Sequence, residues 1–255
     1  MARSFGGAVA IMTTAINYNQ LATEYVRHRR VHPEVLRCLM GGLRPASKVL
    51  DVGCGTGNYL VAIRERIGCP CWGIDPSTEM LAQAAARAEH VQLSCGNGEA
   101  LDYPTEHFDL VFSVDVIHHV SDRGRFFQEA CRVLRLGGRV CTVTDSESII
   151  HHRQPLSVYF PETVAVDLAR YPRIHDVQAN MQDAGFVNIE ELTVEFAYEL
   201  SDIGPFRAKA YSCLRLIPEG AFQRGIARME QDMLAGPIAC VSRYSVVSGA
   251  KPSSA

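Results

Sequence analysis

Three glycines occupy alternate positions in VLDVGCGTGNYL, the segment over residues 49–60. The segment begins as an apolar strand and continues as a helix, so Gly53, Gly55 and Gly57 fall in the turn between the two. A glycine-rich turn before a helix N-terminus can hold an anion or a nucleotide. The dinucleotide fingerprint G-x-G-x-x-G would need a glycine at position 58, where this chain has Asn58. The spacing therefore disfavours the pyrophosphate of a nicotinamide cofactor, and with it a dehydrogenase.

Polar side chains stand near the predicted ends of neighbouring strands. Asp51 lies on the strand before the glycines, where a charge without a ligand would be costly to bury. Asp75 ends the segment CWGID, and its carboxylate suits the hydroxyls of a ribose, the cap of a helix beginning at Pro76, or both. Asn97 suits an exocyclic amine or an Asn-Gly turn, and Met80 suits a flat ring or the core. These types indicate a nucleoside ligand.

The elements that would position these residues alternate between strand and helix. The apolar strand segments are KVLDVG, CWGID, VQLSCG, FDLVFSVDV and RVCTVTD, and the helix before the last of them is expected to end at Gly137 and Gly138. Such alternation predicts a parallel sheet with helices on both faces. A further helix is predicted over residues 175–184, and VNIEELTVEFAYEL and IACVSRYSVVSGAK are the remaining strands. Two long inserts cover residues 146–174 and 203–235.

Four motifs follow one another over about residues 48–145: VLDVGCGTGNYL, GIDPSTEML, GNGEALDYPTEHFDLVFSVDVIHHV and RVLRLGGRV. In this order they resemble the class I S-adenosylmethionine-dependent methyltransferases, especially the small-molecule (type 11) branch. The resemblance implies an α/β, Rossmann-like fold with a seven-stranded, mostly parallel sheet, helices on both faces and an antiparallel last strand. We expect a tail and lid helix over residues 1–30, then a methyltransferase domain over residues 31–255 whose inserts form a helical cap.

The resemblance also implies how S-adenosyl-L-methionine, or its product S-adenosyl-L-homocysteine, would lie. The glycine turn faces the methionine part, with Asp51 near the ammonium group. Asp75 takes the ribose hydroxyls, and Met80 flanks the adenine. The implied cofactor contacts are Tyr25, Arg30, Asp51, Gly53, Cys54, Gly55, Gly57, Asp75, Pro76, Met80, Asn97, Gly98, Ser113 and Val114.

Two parts of this implied site carry open alternatives. Tyr25 and Arg30 could touch the methionine carboxylate, or their segment could be an amphipathic helix against the sheet edge. Relatives in this branch commonly carry Asp where this chain has Asn97. The amide still accepts a hydrogen bond from the adenine amine, but without charge assistance. Ser113 and Val114 are expected to border the sulfonium.

Two histidines just beyond the fourth strand are the candidate catalytic residues. Methyl transfer needs a general base only if the nucleophile arrives protonated. His118 and His119 could take that proton, although one of the pair could instead pack structurally. His151 and His152, after the fifth strand, could line the same cleft.

The composition bounds the class of protein. The chain has 255 residues, a formal net charge of −3 and nine cysteines. An odd number of scattered cysteines favours reduced thiols in the cytoplasm, and no pattern indicates a metal site. The chain has no surplus of basic residues that would indicate a nucleic-acid partner, and no apolar run is long enough for a membrane span. We therefore expect methyl transfer to a small organic molecule by a monomer or homodimer. The alternatives are a nucleic-acid or protein methyltransferase, and a non-catalytic S-adenosylmethionine-binding module.

Overall fold

The computed structural model of the chain describes residues 30–253, and within them seven strands form one sheet. The strands are β1 (Val49–Val52), β2 (Cys71–Asp75), β3 (Val91–Cys95), β4 (Phe108–Val114), β5 (Leu134–Thr144), β6 (Val187–Leu200) and β7 (Ile238–Ala250). Their order is β3-β2-β1-β4-β5-β7-β6. Only β7 is antiparallel to its neighbours β5 and β6. The predicted seven-stranded, mostly parallel sheet with an antiparallel last strand is confirmed.

Helices connect the strands and cover both faces of the sheet. They are α1 (Pro33–Met40), α2 (Asn58–Ile67), α3 (Thr78–Ala85), α4 (Arg123–Val133), α5 (Glu147–His152), α6 (Leu156–Tyr159), α7 (Glu162–Arg170), α8 (Ile174–Asp183), α9 (Gly204–Arg207) and α10 (Glu219–Met233). Short 3₁₀ helices cover Ile117–His119 and Ser212–Arg215.

The core divides into two apolar clusters because successive side chains of a strand point to opposite faces. On β1, Val49 packs with α1 and α2, whereas Leu50 packs with α4 and α8. All four residues of β1 are buried, as are most of those of β4. These mostly apolar strands are therefore central strands, covered on both faces, as the sequence pattern predicts. The same prediction is wrong for β3, which is a partly exposed edge strand.

One predicted boundary is wrong. Helix α4 ends at Val133, and β5 begins at once with Leu134, so the helix does not continue to the glycine pair. Leu134 pairs with Phe108 of β4. The backbone of the glycine pair bonds to Lys251. The Gly137 N–H donates to the Lys251 carbonyl at 3.0 Å, and the Lys251 N–H donates to the Gly138 carbonyl at 2.8 Å. Strand pairing thus overrides the local stop signal.

The two inserts pack on each other. Helices α5, α6 and α7 lie in the first, and α9, the second 3₁₀ helix and α10 lie in the second. The ring of Phe160 stacks on Phe206 at 6.2 Å between centroids and on Phe222 at 6.0 Å. A Cβ at Gly225 would lie 2.2 Å from the Phe160 ring, so only glycine lets α10 approach. The inserts form one helical body with its own apolar cluster.

The predicted lid helix and Tyr25 lie outside the described residues, so the proposed boundary at residue 30 stays a prediction. In the part of the chain from residue 30 to residue 253, no helix combines the length and apolar character that crossing a bilayer requires. All nine cysteines lie in this part, and each is a free thiol.

Candidate functional site

The glycine turn follows β1 and leads into α2. Gly53, Gly55 and Gly57 all have positive φ, at 77°, 52° and 73°. Side chains disfavour this left-handed region, so the conformation of the turn requires glycine. Gly57 is the N-cap residue of α2, and no side chain caps that helix end. The turn therefore presents backbone rather than side chains at the carboxyl end of β1.

A packing contact explains one of the three glycines. A Cβ on Gly53 would lie 2.4 Å from Cγ2 and 2.9 Å from Cγ1 of Val116. Val116 follows β4, and Gly53 N–H donates to the Ile74 carbonyl of β2 at 2.7 Å. Gly53 thus holds the turn between the ends of two neighbouring strands. The sequence pattern indicated a ligand contact for this glycine. It contains no signal for the close contact with Val116.

Two buried polar atoms near the turn lack a partner among the described residues. They are Asp51 Oδ1 and Thr56 Oγ1, on residues only 3% and 2% exposed. Burial raises the pKa of Asp51 well above its ordinary range, and the nearby carboxylate of Asp75 raises it further. Burying an unpaired carboxylate is costly, and an ammonium group placed here would compensate it. The arrangement therefore fits a ligand with a cationic end.

Asp75, at the end of β2, joins the glycine turn to α3. Its Oδ2 accepts a hydrogen bond from Gly55 N–H at 2.8 Å, and its Oδ1 accepts one from Ser77 N–H at 2.9 Å. Ser77, not Asp75, is the N-cap residue, because its hydroxyl accepts from Met80 N–H at 3.1 Å. Burial raises the pKa of Asp75, opposed by these two backbone hydrogen bonds. Each carboxylate oxygen has a further lone pair with which it can accept a hydroxyl.

The other predicted cofactor residues lie in the glycine turn and in the segments that follow β2 and β3. Met80 is buried at 3% exposure, whereas Pro76 is exposed. Asn97 is exposed, and its Oδ1 accepts from Glu99 N–H at 3.1 Å, which makes the Asn-Gly segment a turn. A Cβ on Gly98 would lie 2.4 Å from the ring of Phe126. Burial raises the pKa of the Cys54 thiol, which keeps that thiol protonated.

The end of β4 carries the residues predicted to border the sulfonium. Ser113 is buried, and its hydroxyl donates to Thr142 Oγ1 on β5 at 3.3 Å. Val114 is half-buried and packs against the cluster of α1 and α2. Asp115 comes next with φ of 58°, and its Oδ2 accepts from the Tyr244 hydroxyl at 3.1 Å.

The two candidate catalytic histidines lie on the 3₁₀ helix after β4. The ring of His118 stacks on Tyr171, with centroids 4.0 Å apart and planes 15° apart. His119 is exposed, and its centroid lies 3.9 Å from that of His118. Tyr171 lines the adjoining cavity. The catalytic role of the two imidazoles stays a prediction.

A cavity of about 760 Å³ lies beyond the carboxyl ends of β4 and β5. Its walls come from those strand ends, from both inserts, from β6 and β7, and from the segment before α1. Its lining includes Arg30, Asp115, Asp145, Arg153 and Tyr171. This volume is in the range of small-molecule sites.

Sequence reasoning found only part of this cavity. Asp145 directly follows β5, at the edge where ligands bind in such sheets. The spacing of Arg153 and Tyr171 in the sequence gives no sign that they line the cavity. His151 and His152 are exposed, and neither belongs to the cavity wall that the described residues form. In residues 30–253 no group of three or more His, Cys, Asp and Glu side chains is arranged to hold a metal ion.

Comparisons with known proteins point in one direction. The family model described as a methyltransferase domain matches residues 50–142. Phosphoethanolamine N-methyltransferase 1 of Arabidopsis thaliana is 32% identical over 170 residues, which cover 60% of this chain and 32% of that protein. Demethylmenaquinone methyltransferase of Bacillus mycoides is 25% identical over 205 residues, covering 71% of this chain and 86% of that protein. The chain thus spans about a third of the length of the Arabidopsis relative.

A solved structure supports the same fold. A protein of Anabaena variabilis, whose proposed role is that of a methyltransferase in an antibiotic biosynthesis pathway, superposes with a TM-score of 0.72 at 22% identity. The superposition covers 87% of this chain and 98% of that one. The family match begins in β1 and ends in β5, so it contains the glycine turn and the ends of β2, β3 and β4 but not the two inserts. On this evidence the chain carries a match to a methyltransferase domain over residues 50–142 and shares its fold with a solved structure of that kind.

Proposed function

We propose that this protein transfers a methyl group from S-adenosyl-L-methionine to a small organic molecule by in-line displacement. The observation that carries the proposal is the buried Asp51 Oδ1, which has no hydrogen-bond partner within residues 30–253 and lies beside a glycine turn whose neighbouring strand ends in Asp75. A carboxylate in that setting calls for a cation, and the α-ammonium of the cofactor is one.

In this proposal the remaining cofactor contacts follow the strand ends. Gly53, Cys54, Gly55 and Gly57 face the methionine part. Asp75 accepts the ribose hydroxyls through the lone pairs that Gly55 and Ser77 leave available. Met80, Pro76, Asn97 and Gly98 surround the adenine, Ser113 and Val114 border the sulfonium, and Arg30, with Tyr25 outside the described residues, meets the carboxylate.

The cofactor supplies an electrophilic methyl group, and the protein supplies alignment and a site that excludes water. The bond from sulfur to the methyl carbon breaks as the bond from the acceptor atom forms, and sulfur keeps the electron pair. A protonated acceptor must also lose a proton. His118 and His119 are the proposed bases, because their 3₁₀ helix begins close after β4 and His118 contacts the cavity residue Tyr171.

A small acceptor is supported by the shape of the cavity. Its volume of about 760 Å³ suits a small molecule, and both inserts contribute to its wall. We propose that these inserts are a cap that leaves no access for a folded protein or a duplex. A cytoplasmic monomer or homodimer that binds neither membrane nor nucleic acid completes the proposal.

Calorimetric titration with S-adenosylhomocysteine is the first test. Binding supports the cofactor site, and absence of binding refutes the proposal together with the non-catalytic alternative. Binding without transfer of labelled methyl to any of a set of phenols, amines and acids would favour a cofactor-binding module. Methylation of bulk RNA or protein by the same sample would favour a macromolecular substrate.

A further inference from the structure

A buried carboxylate at the end of β5 takes no part in the proposed cofactor site. Asp145 directly follows β5 and is 3% exposed. It lines the cavity beyond β4 and β5, next to Asp115 at the end of the neighbouring strand. In an open α/β sheet, ligands bind at this edge. Asp145 therefore lies where the acceptor substrate should be.

One oxygen of Asp145 is committed to an ion pair. Arg153 Nη1 donates to Asp145 Oδ2 at 2.5 Å, and Arg153 Nη2 donates to Asp167 Oδ2 on α7. Arg170 Nη1 donates to the other oxygen of Asp167 at 3.2 Å. Two guanidinium groups and two carboxylates thus form a chain from β5 into the first insert. The four charges balance, so the chain itself needs no further ion.

The other oxygen of Asp145 can still accept a hydrogen bond. Asp145 Oδ1 and Arg153 Nε are both buried, and neither finds a hydrogen-bond partner among residues 30–253. Both residues line the cavity, whereas Asp167 is not part of its lining. A buried acceptor without a donor costs free energy, and native structures seldom keep one without a reason. A bound donor at this point would remove that cost.

Burial also affects the protonation of Asp145. It raises the pKa of this carboxyl to about 6, although Arg153 lowers it, and the nearby Asp115 and Asp167 carboxylates raise it. The charged groups that face Asp145 are therefore one guanidinium and two carboxylates. A donor on the ligand would favour the ionised form of Asp145, as the guanidinium does.

We propose that Asp145 binds the methyl acceptor through Oδ1, and that it selects acceptors whose polar head donates a hydrogen bond, namely a hydroxyl or an N–H group. This inference rests on the proposed function, because it assigns the substrate of the same site. Arg153 is a positioning residue that holds Asp145 Oδ2 and leaves Oδ1 directed to the acceptor. Asp167 holds Arg153 from the other side.

The structure supplies a matched pair of variants. Asp145→Asn and Asp167→Asn each remove one carboxylate from Arg153, and both should lower the melting temperature. In Asp145→Asn the amide oxygen would face the guanidinium, so the amide nitrogen, a donor, would replace Oδ1. Only this variant changes the cavity wall. A purely structural role for Asp145 predicts that the two variants behave alike.

Acceptor binding is measured by calorimetry on protein saturated with S-adenosylhomocysteine. The probes are matched pairs that differ in the donor: phenol and anisole, catechol and its dimethyl ether, phenethylamine and its N,N,N-trimethyl derivative. The wild-type protein is expected to bind the donor-bearing member of at least one pair about tenfold or more tightly. A hydrogen bond to a charged group is worth about that factor or more. The pair that shows the preference identifies the hydroxyl or the N–H source.

The variants then decide the role of Asp145. Asp145→Asn is expected to lose the preference, and Asp167→Asn is expected to keep it despite its lower melting temperature. Equal binding of both members of every pair by the wild-type protein overturns the inference, and so does lack of binding of every donor-bearing probe. Equal loss in the two variants also overturns it. In these outcomes S-adenosylhomocysteine still binds, so the proposed function survives; its failure to bind removes both.

Discussion

Replacing Gly53 with alanine tests how the glycine turn is held against the end of β4. The new Cβ would lie 2.4 Å from Cγ2 of Val116, and the residue would have to keep φ at 77°. A left-handed conformation costs a residue with a Cβ roughly 1–2 kcal/mol. Overpacking typically adds about 1–3 kcal/mol, and Val116 cannot swing away because its χ1 is restricted. We therefore expect Gly53→Ala to lower the free energy of unfolding by about 2–5 kcal/mol.

Gly68 provides the matched control. It has φ of 76° at the C-cap of α2, and a Cβ there would meet no atom within 4 Å. Gly68→Ala should therefore show the conformational cost alone, roughly 1–2 kcal/mol. Urea unfolding of the wild-type protein and the two variants gives both numbers. The double variant Gly53→Ala/Val116→Ala should recover the overpacking part, since the crowded methyl groups are gone.

Two outcomes would rule out a steric restriction at Gly53. If Gly53→Ala costs no more than Gly68→Ala, the contact with Val116 does not restrict position 53. A double variant that is less stable than the sum of its single substitutions would contradict the steric explanation in the same way. Either result would leave the positive φ of Gly53 and its proposed ligand contact as the reasons for a glycine at this position.

Three further predictions concern the cofactor site. Asp75→Ala should weaken S-adenosylhomocysteine binding more than about tenfold in calorimetry, because charge-assisted hydrogen bonds are lost; unchanged affinity would show that the ribose contact is elsewhere. Gly55→Val should abolish that binding, since position 55 has φ of 52° and the branch would fill ligand space; a folded variant that still binds would contradict this. Burial raises the pKa of Asp51 above its ordinary value of 3.8. The stability that this residue contributes is complete below that value and is lost as pH rises through the folded-state pKa. Melting temperatures of Asp51→Asn should thus fall less with rising pH than those of the wild-type protein, and parallel curves would argue against it.

The sheet could be predicted because its signals are local. Strands β1 and β4 are mostly apolar, and helices alternate with the strands along the chain, which leaves a doubly covered parallel sheet as the expected arrangement. The glycine turn could be predicted for the same reason, since positive φ at Gly53, Gly55 and Gly57 demands that residue type.

The end of α4 and the position of Arg153 could not be predicted, because both depend on contacts between elements that are distant in the sequence. Gly137 and Gly138 pair with Lys251 instead of ending α4, and no sequence pattern near the two glycines indicates this pairing. Arg153 is one of several arginines in its region, and only the folded chain brings it between Asp145 and Asp167. The position of a charge in a long insert is set by packing, which spacing along the sequence does not specify.

A crystal structure with S-adenosylhomocysteine tests the cofactor site most directly. We expect the amino-acid end of the ligand in the turn of Gly53, Gly55 and Gly57, its ammonium group near Asp51, and its ribose hydroxyls on Asp75. A turn that stays empty at saturating ligand, or one that holds a different nucleotide, would show that this is not the cofactor site.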